Sequence, residues 1–334
     1  MNWDKGFIAT YHMNLVNPVT WRDQGAVKML SGSTSRTNEG LRQTADITVS
    51  DFERKCEKYV RVWLEAEQGG DAARVDLFTG IANAPSESIG TCRTEVDLEC
   101  YSVLKPVEGI PLERGWYAPA GMPGGELIKN LLSVTPAPVL IHEGSPVLTD
   151  YIIAEDNENR LTMTDKILQA IGWRLRINGS GLIEVGPMPQ RISATFGEER
   201  DMIEAPIKPS DTWFQTPNAF RAISGDSAAV AMDSSAESAL SIVNRGREVW
   251  EVESDCSLND GESLEQYALR RLREEQKRAG SLDYERGFDP DAVPSDLIRI
   301  HYPEYGLTGT FYIESQDMDF DTKASVSEEV SVWA

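Results

Sequence analysis

Residues 59–67 read YVRVWLEAE, and their parity decides how the rest of the chain is interpreted. Val60, Val62, Leu64 and Ala66 fall on one side of an extended chain, and Tyr59, Arg61, Trp63 and Glu65 on the other. Strict alternation with a β-branched and aromatic bias is the pattern of a strand buried on one face. Gly69-Gly70-Asp71 then supplies a turn, and ARVDLFTGIANA (73–84) returns, so a hairpin is predicted. TEVDLECYSVL (94–104) alternates again, with Val96, Leu98, Cys100, Ser102 and Leu104 together, and LRQTADITV (41–49) groups Ala45, Ile47 and Val49. Several short strands at this spacing predict a small antiparallel barrel or sandwich. SGSTSRTNEG (31–40) has the composition of an exposed loop between strands.

Downstream the texture changes. GWYAPAGMPGGELIKNLLSVTPAPV (115–139) is rich in Gly and Pro and predicts a short helix around Glu126–Leu132, stopped by Pro136 and Pro138. In MTDKILQAIGWRLRINGSGLIEVGPMP (163–189), Thr164 is the expected N-cap of a helix carrying Ile167, Leu168 and Ile171, with Gly172 as its stop. A hairpin follows, Trp173–Ile177 against Leu182–Val185 across Asn178-Gly179-Ser180-Gly181. This mixed stretch is smaller than a full domain and reads as an insertion. AFRAISG (219–225) and REVWEVES (247–254) look extended, with a mobile Ala/Ser/Asp-rich segment (224–240) expected between them. The next helix has Ser263 and Gln266 at capping-box spacing, a stripe of Leu264, Tyr267, Ala268 and Leu272, and Gly280 as its stop. Residues 289–334 then predict three strands separated by turns.

The 334 residues suit two or three domains, and 40% hydrophobic content is enough for sizeable cores. Asp and Glu total 54 against 32 Lys and Arg, a net charge of −22. Nucleic acid is held tightly by cations that displace counterions from phosphate, so a tightly bound nucleic acid is disfavoured. Net charge of this size serves solubility, and an acidic surface can also face DNA as something to be repelled. No apolar run approaches the roughly 20 residues that cross a bilayer, so membrane insertion is not expected. The first residues, Met1-Asn2-Trp3-Asp4-Lys5-Gly6, lack a charged-then-apolar signal pattern, and export is not expected. Cys56, Cys92, Cys100 and Cys256 are scattered, which fits reduced, buried thiols rather than a disulfide framework.

Candidate chemistry is sparse. His12, His142 and His301 are each alone in their segments, outside zinc-binding spacings. The glycine clusters lack the lysine of a phosphate loop, and no GxSxG elbow is present. Pairs such as Glu251/Glu253 and Asp317/Asp319 are expected by chance among 54 acids, and Asp317, Asp319 and Asp321 lack the glycine and closing glutamate of a calcium loop. No cofactor, no metal and no enzymatic activity are expected. Trp116, Tyr117, Trp213 and Phe214, in loop-like stretches, keep open a carbohydrate- or receptor-binding reading.

The order of parts carries one further reading. VRVWLEAEQGGDAARVDLFTGIA (60–82), ILQAIGWRLRINGSGLIEVGP (167–187), the helix LEQYALRRLREEQ (264–276) and the unit PSDLIRIHYPEYGLTGTFYIESQDMDF (294–320) follow one another in an order that resembles the central baseplate hub proteins of tailed bacteriophages. The resemblance spans roughly residues 40–334 and is one of order and texture, without a diagnostic motif. It implies a mainly β chain with a mixed α/β insertion: a first tube-type antiparallel barrel over 1–110, the insertion over 111–200, and return strands, a long helix and a second tube-type barrel over 201–334. It also implies a homotrimer, a virion location in the tail baseplate or tip, a tail tube or distal tail protein on one side, and a tip or spike protein on the other. DNA would pass through the channel without tight binding. A trimer triples the charge of −22, so the lumen is expected to be acidic, with Glu65, Asp97, Glu99, Glu314 and Glu328 as candidate lumen acids. Period two fixes faces only relative to one another, so which acids point inward is open at this stage.

Overall fold

The computed structural model describes the chain except residues 51, 54–56, 90–93, 199, 212–213, 237, 239, 255, 257, 259–262, 278–279, 306 and 334. Six strands open the fold: β1 (Ile8–Val16), β2 (Asp23–Thr37), β3 (Gln43–Ser50), β4 (Lys58–Gln68), β5 (Asp71–Ile89) and β6 (Thr94–Ser102). The predicted hairpin is β4–β5, paired from Gln68↔Asp71 to Lys58↔Ala82. The pairings run β1-β4-β5-β6-β3-β2, and β1 returns to β2 at Met13↔Val27, so the six strands close on themselves. Inside lie Ala45, Ile47, Val49, Val60, Val62, Val96, Leu98 and Cys100, which alternation assigns to one face of their strands, and Phe78 of β5.

The Ser/Thr-rich stretch expected to be a loop is mostly strand. Residues 31–37 belong to β2, which pairs with β3 on one edge, and the turn is confined to the residues around Gly40. Hydroxyl side chains suit the solvent face of a sheet, and β2 is held on both edges by tertiary pairing, which overrides the local turn preference.

The insertion comprises α1 (Lys105–Glu108), β7 (Tyr117–Ala118), α2 (Gly124–Leu131), β8 (Val139–Ile141), β9 (Ile152–Ile153), α3 (Arg160–Ile171), β10 (Trp173–Ile177) and β11 (Ile183–Pro187). Its core joins Val103, Leu104, Leu127, Ile128, Leu132, Met163, Ile167, Leu175 and Val185. Helix α3 starts earlier than expected. Asn159, not Thr164, is its N-cap and accepts from the Thr162 amide, while the Thr164 hydroxyl turns back to the Arg160 carbonyl. Gly172 ends it in the left-handed conformation at φ 64°. The tip of the β10–β11 hairpin presses on the first strand set: Trp21 Nε1 and Arg61 donate to the Ser180 carbonyl, and Thr79 Oγ1 donates to Gly179 at 2.7 Å.

Next come β12 (Ile192–Gly197), β13 (Ile203–Asp211), β14 (Ala219–Ser224), β15 (Ser227–Met232), α4 (Ile242–Arg245), β16 (Trp250–Ser254), α5 (Leu264–Lys277), β17 (Gly280–Gly287), β18 (Leu297–Tyr302), β19 (Leu307–Asp319) and β20 (Ser325–Val332). The stretch expected to be mobile (224–240) contains β15, which pairs with β14 from Ser224↔Ser227 to Ala219↔Met232. With β16 these form a three-stranded sheet covered on one face by α5 through Tyr267, Ala268 and Leu272. The capping box of α5 is formed: the Ser263 amide donates to Gln266 Oε1, and the Gln266 amide to Ser263 Oγ. Gly280 begins β17, and residues 278–279, where the helix was expected to stop, lie outside the described residues.

The second strand set runs β12-β18-β19-β20-β17-β13, so residues 192–197 pair with the terminal unit rather than with the insertion. Among the described residues β12 and β13 share no ladder; an isolated bridge joins Gly197, at the end of β12, to Arg200 in the turn that follows, and this set stays open where a second closed barrel was expected. The two sets are joined by β2–β19, from Thr37↔Ser315 to Ser33↔Asp319. Beneath that seam Leu64, Ala66 and Leu77 pack on Phe288, Met318, Ala324 and Val326. One face of β4 therefore serves two cores, Val60 and Val62 the first and Leu64 and Ala66 the seam.

Candidate functional site

Because side chains alternate along each strand, burying one face of both sets leaves the other to water wherever the insertion does not cover it, as it does at Arg61 and Thr79. That outer face is continuous across the seam. One row of register partners runs Tyr101–Thr44–Ser35–Asp317–Ser327–Glu285–Glu204, crossing β6, β3, β2, β19, β20, β17 and β13. A neighbouring row runs Asn83–Glu99–Asp46–Ser33–Asp319, and another Ser315–Glu329–Asp283–Lys208. The positions are hydroxyls and carboxylates almost throughout. An open groove of about 480 Å³ on this face is lined by Ser31, Ser33, Asp46, Asp97, Glu99 and Asp319, among others.

The carboxylates are held by hydroxyls more than by cations. Thr48 Oγ1 and Ser86 Oγ donate to Asp97 at 2.9 and 3.1 Å, and the Tyr101 hydroxyl donates to Glu99 at 3.0 Å. Among the described residues no ion pair joins Asp46, Asp97, Glu99, Asp317 or Asp319 to a cation. Lys323 binds Glu204 and Glu285 at 2.9 and 2.6 Å, at the outer end of the face. Glu329 shows the crowding: partial burial and the nearby charges of Asp283 and Glu314 hold its carboxyl above the usual range.

The five acids expected to line a lumen separate in space. Asp97 and Glu99 lie exposed on this face. Glu314 is half-buried at the seam, accepting from Asn38 Nδ2 and Ser331 Oγ, where the β19–β20 register shifts between Ile313 and Ser315. Glu65 is on the outer side of β4, opposite Thr10 and Arg74 and 3.0 Å from His12, away from the seven-strand row. Glu328 is a correction. It is buried inside the second set, where Arg286 donates Nε and Nη2 to its two oxygens and Tyr284 and Gln316 add hydrogen bonds. A carboxylate that is paired this way lies in a core and reaches no solvent-filled channel.

Of the members of the face, Asp46, Asp283 and Glu329 were not singled out from sequence, and Asp317 and Asp319 were weighed there only as a chance carboxylate pair and a calcium loop. Asp46 had a signal: it alternates with Ala45 and Ile47 in the strand already assigned.

Elsewhere the groups are structural. His12 stacks on Trp63 at 4.1 Å, and the Arg74 guanidinium lies 4.5 Å from the Trp63 ring centroid. Cys100 is buried, which raises its thiol pKa, and Cys256 is buried beside the Glu253 carbonyl; Cys56 and Cys92 lie outside the described residues. Asp321 accepts from the Lys323 and Ala324 amides in a turn, while Asp317 and Asp319 stand on β19. Among the described residues no group of three His, Cys, Asp or Glu is placed to hold a metal ion. Trp116 packs on the insertion core, Tyr117 and Phe214 are exposed, and Trp213 lies outside the described residues. No helix among the described residues is long and apolar enough to cross a membrane.

No family model matches the chain, and no curated protein does. Solved structures do. The tail protein from Neisseria meningitidis MC58 is 14% identical, with 98% of this chain and 97% of that one covered and a TM-score of 0.70. The 43 kDa tail protein of prophage MuSo2 from Shewanella oneidensis is 13% identical, with 96% and 97% covered and a TM-score of 0.66. The prophage tail protein gp18 from Listeria monocytogenes EGD-e is 11% identical, with 96% and 94% covered and a TM-score of 0.58. The likeness is one of fold and runs through both strand sets, the insertion and the small sheet. All three are tail proteins, and what this chain shares with them is the fold.

Proposed function

We propose that the chain is a structural hub subunit of a phage tail baseplate or tail tip, three copies of which surround the channel through which DNA leaves. The observation that carries this reading is the unbroken row from Tyr101 to Glu204, a sheet face that passes from one strand set to the other without a change of character. A polar face made by two strand sets per chain suits the wall of a ring, and six such sets would come from three chains. The first set is already closed, and the second is expected to complete a tube-type unit in that ring, the open edges of β12 and β13 being covered by assembly.

The chemistry fits passage rather than binding. Cations on such a wall would hold phosphates, each neutralised phosphate adding salt-dependent affinity. Asp46, Asp97, Glu99, Asp317 and Asp319 repel the backbone instead, and screening limits that repulsion to about 8–10 Å at physiological salt. The duplex is thus kept off the wall without a long-range barrier. A tail tube or distal tail protein on one side and a tip or spike protein on the other complete the assembly. No catalytic step belongs to this role.

Native mass spectrometry of the full chain tests it first, with a trimer as the expected species. Charge reversal at Asp46, Asp97 and Asp319, all on the solvent side, should leave assembly intact and slow DNA ejection. Ejection at an unchanged rate from particles carrying these variants would remove the acidic wall from the account.

A further inference from the structure

We infer that the outer face of the β14–β16 sheet docks on the β7–β9 patch of a second copy of this chain. The inference rests on the ring reading and names where neighbouring copies touch outside the ring wall. Helix α5 covers one side of the small sheet, where Phe220, Ala222, Ala229 and Ala231 meet Tyr267 and Leu272. By period two the opposite side carries the rows Met232–Ala219–Trp250 and Val230–Arg221–Val252. Ala219, at the middle of the first row, is buried, but around it the face is open among the described residues: Val252 is 55% exposed, Val230 48%, Met232 44% and Trp250 43%. An apolar sheet face left bare in this way marks an interaction surface. Its charge is also unlike the rest of the molecule. In a chain with 54 acids, those two rows contain none, and their one charged side chain is Arg221.

Copies related by a threefold axis meet through two different surfaces, so the partner must be a second, complementary patch on the same chain. The insertion has one. Tyr117 faces Ile153 across the β7–β9 pair, and Tyr151 shares the Ile153 parity. Ile153 is 56% exposed and Tyr151 59%. Glu155 continues the same outward parity, and Asp150 is exposed beside Tyr151. Local cations only partly answer these acids: Lys166 reaches Glu155 at 3.5 Å, and Arg114 lies 3.9 Å from Asp156. An apolar centre edged by Asp150 and Glu155 matches an apolar centre holding Arg221. Desolvated together, the aromatic and aliphatic side chains exclude water while the charges set the register.

The test places a photocrosslinking benzoylphenylalanine at Val252 of the full chain, with native mass spectrometry on the same sample. The expected result is a trimer whose adduct peptides map to residues 113–157 of another copy. Arg221→Glu should weaken trimer formation by tenfold or more, and Glu155→Arg added to it should restore most of the loss; both sites are at the surface, so circular dichroism should show unchanged folding. A trimer whose adducts map elsewhere, or R221E chains that trimerise as tightly as the original, overturns the inference and leaves the ring reading in place. A chain that stays monomeric and forms no ring within assembled tails overturns both.

Discussion

The two strand sets solve the same problem with different interiors. The first closes on itself and fills with Val49, Val60, Val62, Phe78, Val96 and Leu98. The second stays open and buries, beside Phe196, Ile298 and Val330, an Arg286–Glu328 pair with no solvent exposure of either side chain. Arg286 also donates to the Ala292 and Gly287 carbonyls, and its guanidinium lies 5.1 Å from the Phe196 ring. Burial disfavours its charge, and the Glu328 carboxylate together with Tyr284 and Asp289 more than offsets that. The comparison teaches that the buried pair pins β17, β19 and β20 through Arg286, Gln316 and Glu328, one residue from each strand.

The largest effect should come from splitting that pair. Arg286→Met leaves Glu328 buried without a counterion and should cost about 3–5 kcal/mol in chemical denaturation, whereas Arg286→Met with Glu328→Leu should recover much of the loss. Equal destabilisation by the single and double variants would mean that the pair does more than balance its own charges. In the first set the same logic predicts an ordinary cavity: Leu98→Ala should cost about 2–5 kcal/mol, insensitive to pH between neutrality and mild acid.

These differences also explain what could be read in advance. The first set was legible because its inward positions are apolar and its outward ones polar, so parity alone gives the core. Helix α5 was legible through its capping box and stripe. In the second set SVSEEVSV places Glu328 on the same parity as Val326 and Val330, and a carboxylate there reads as outward only if its inward partner, Arg286, is unknown. That partner is 42 residues away in sequence. The β2 strand was hidden for a related reason, since its serines and threonines look like a loop until β3 and β19 are seen on its two edges. Asp317 and Asp319 gain their meaning only from the seam that aligns them with Ser35 and Ser33.

A third variant asks whether the insertion is bound to the closed set as a rigid part. A Cβ on Gly179 would stand 1.7 Å from the Asp76 carbonyl oxygen, so Gly179→Ala should push the hairpin tip off β5. Overpacking of this kind costs about 1–3 kcal/mol. The expected sign is faster amide exchange across residues 173–185 with the cores of both strand sets unchanged; an unaltered exchange pattern would show that the contact is not needed for docking.

The smallest effect concerns the acidic face itself. Glu329 has a raised carboxyl pKa in the folded chain, so the folded state binds that proton more tightly than the unfolded state. The stability linked to the proton is fully present below the unfolded pKa and is lost as pH rises through the folded one. Glu329→Gln should therefore raise Tm slightly at pH 7, by no more than about 0.5 kcal/mol in stability, and the gain should vanish below the carboxylate range. A gain of the same size at both pH values would trace it to something other than charge crowding.

The central claim is that one face of the joined sheets lines a channel, and an electron cryomicroscopy reconstruction of the assembled tail tip tests it most directly. The account predicts three copies around the axis, with the row from Tyr101 through Asp317 to Glu204 turned toward the lumen and Asp46, Asp97 and Asp319 on its wall. A ring in which this face points outward or is buried between subunits, with a neutral or basic wall in its place, would contradict it.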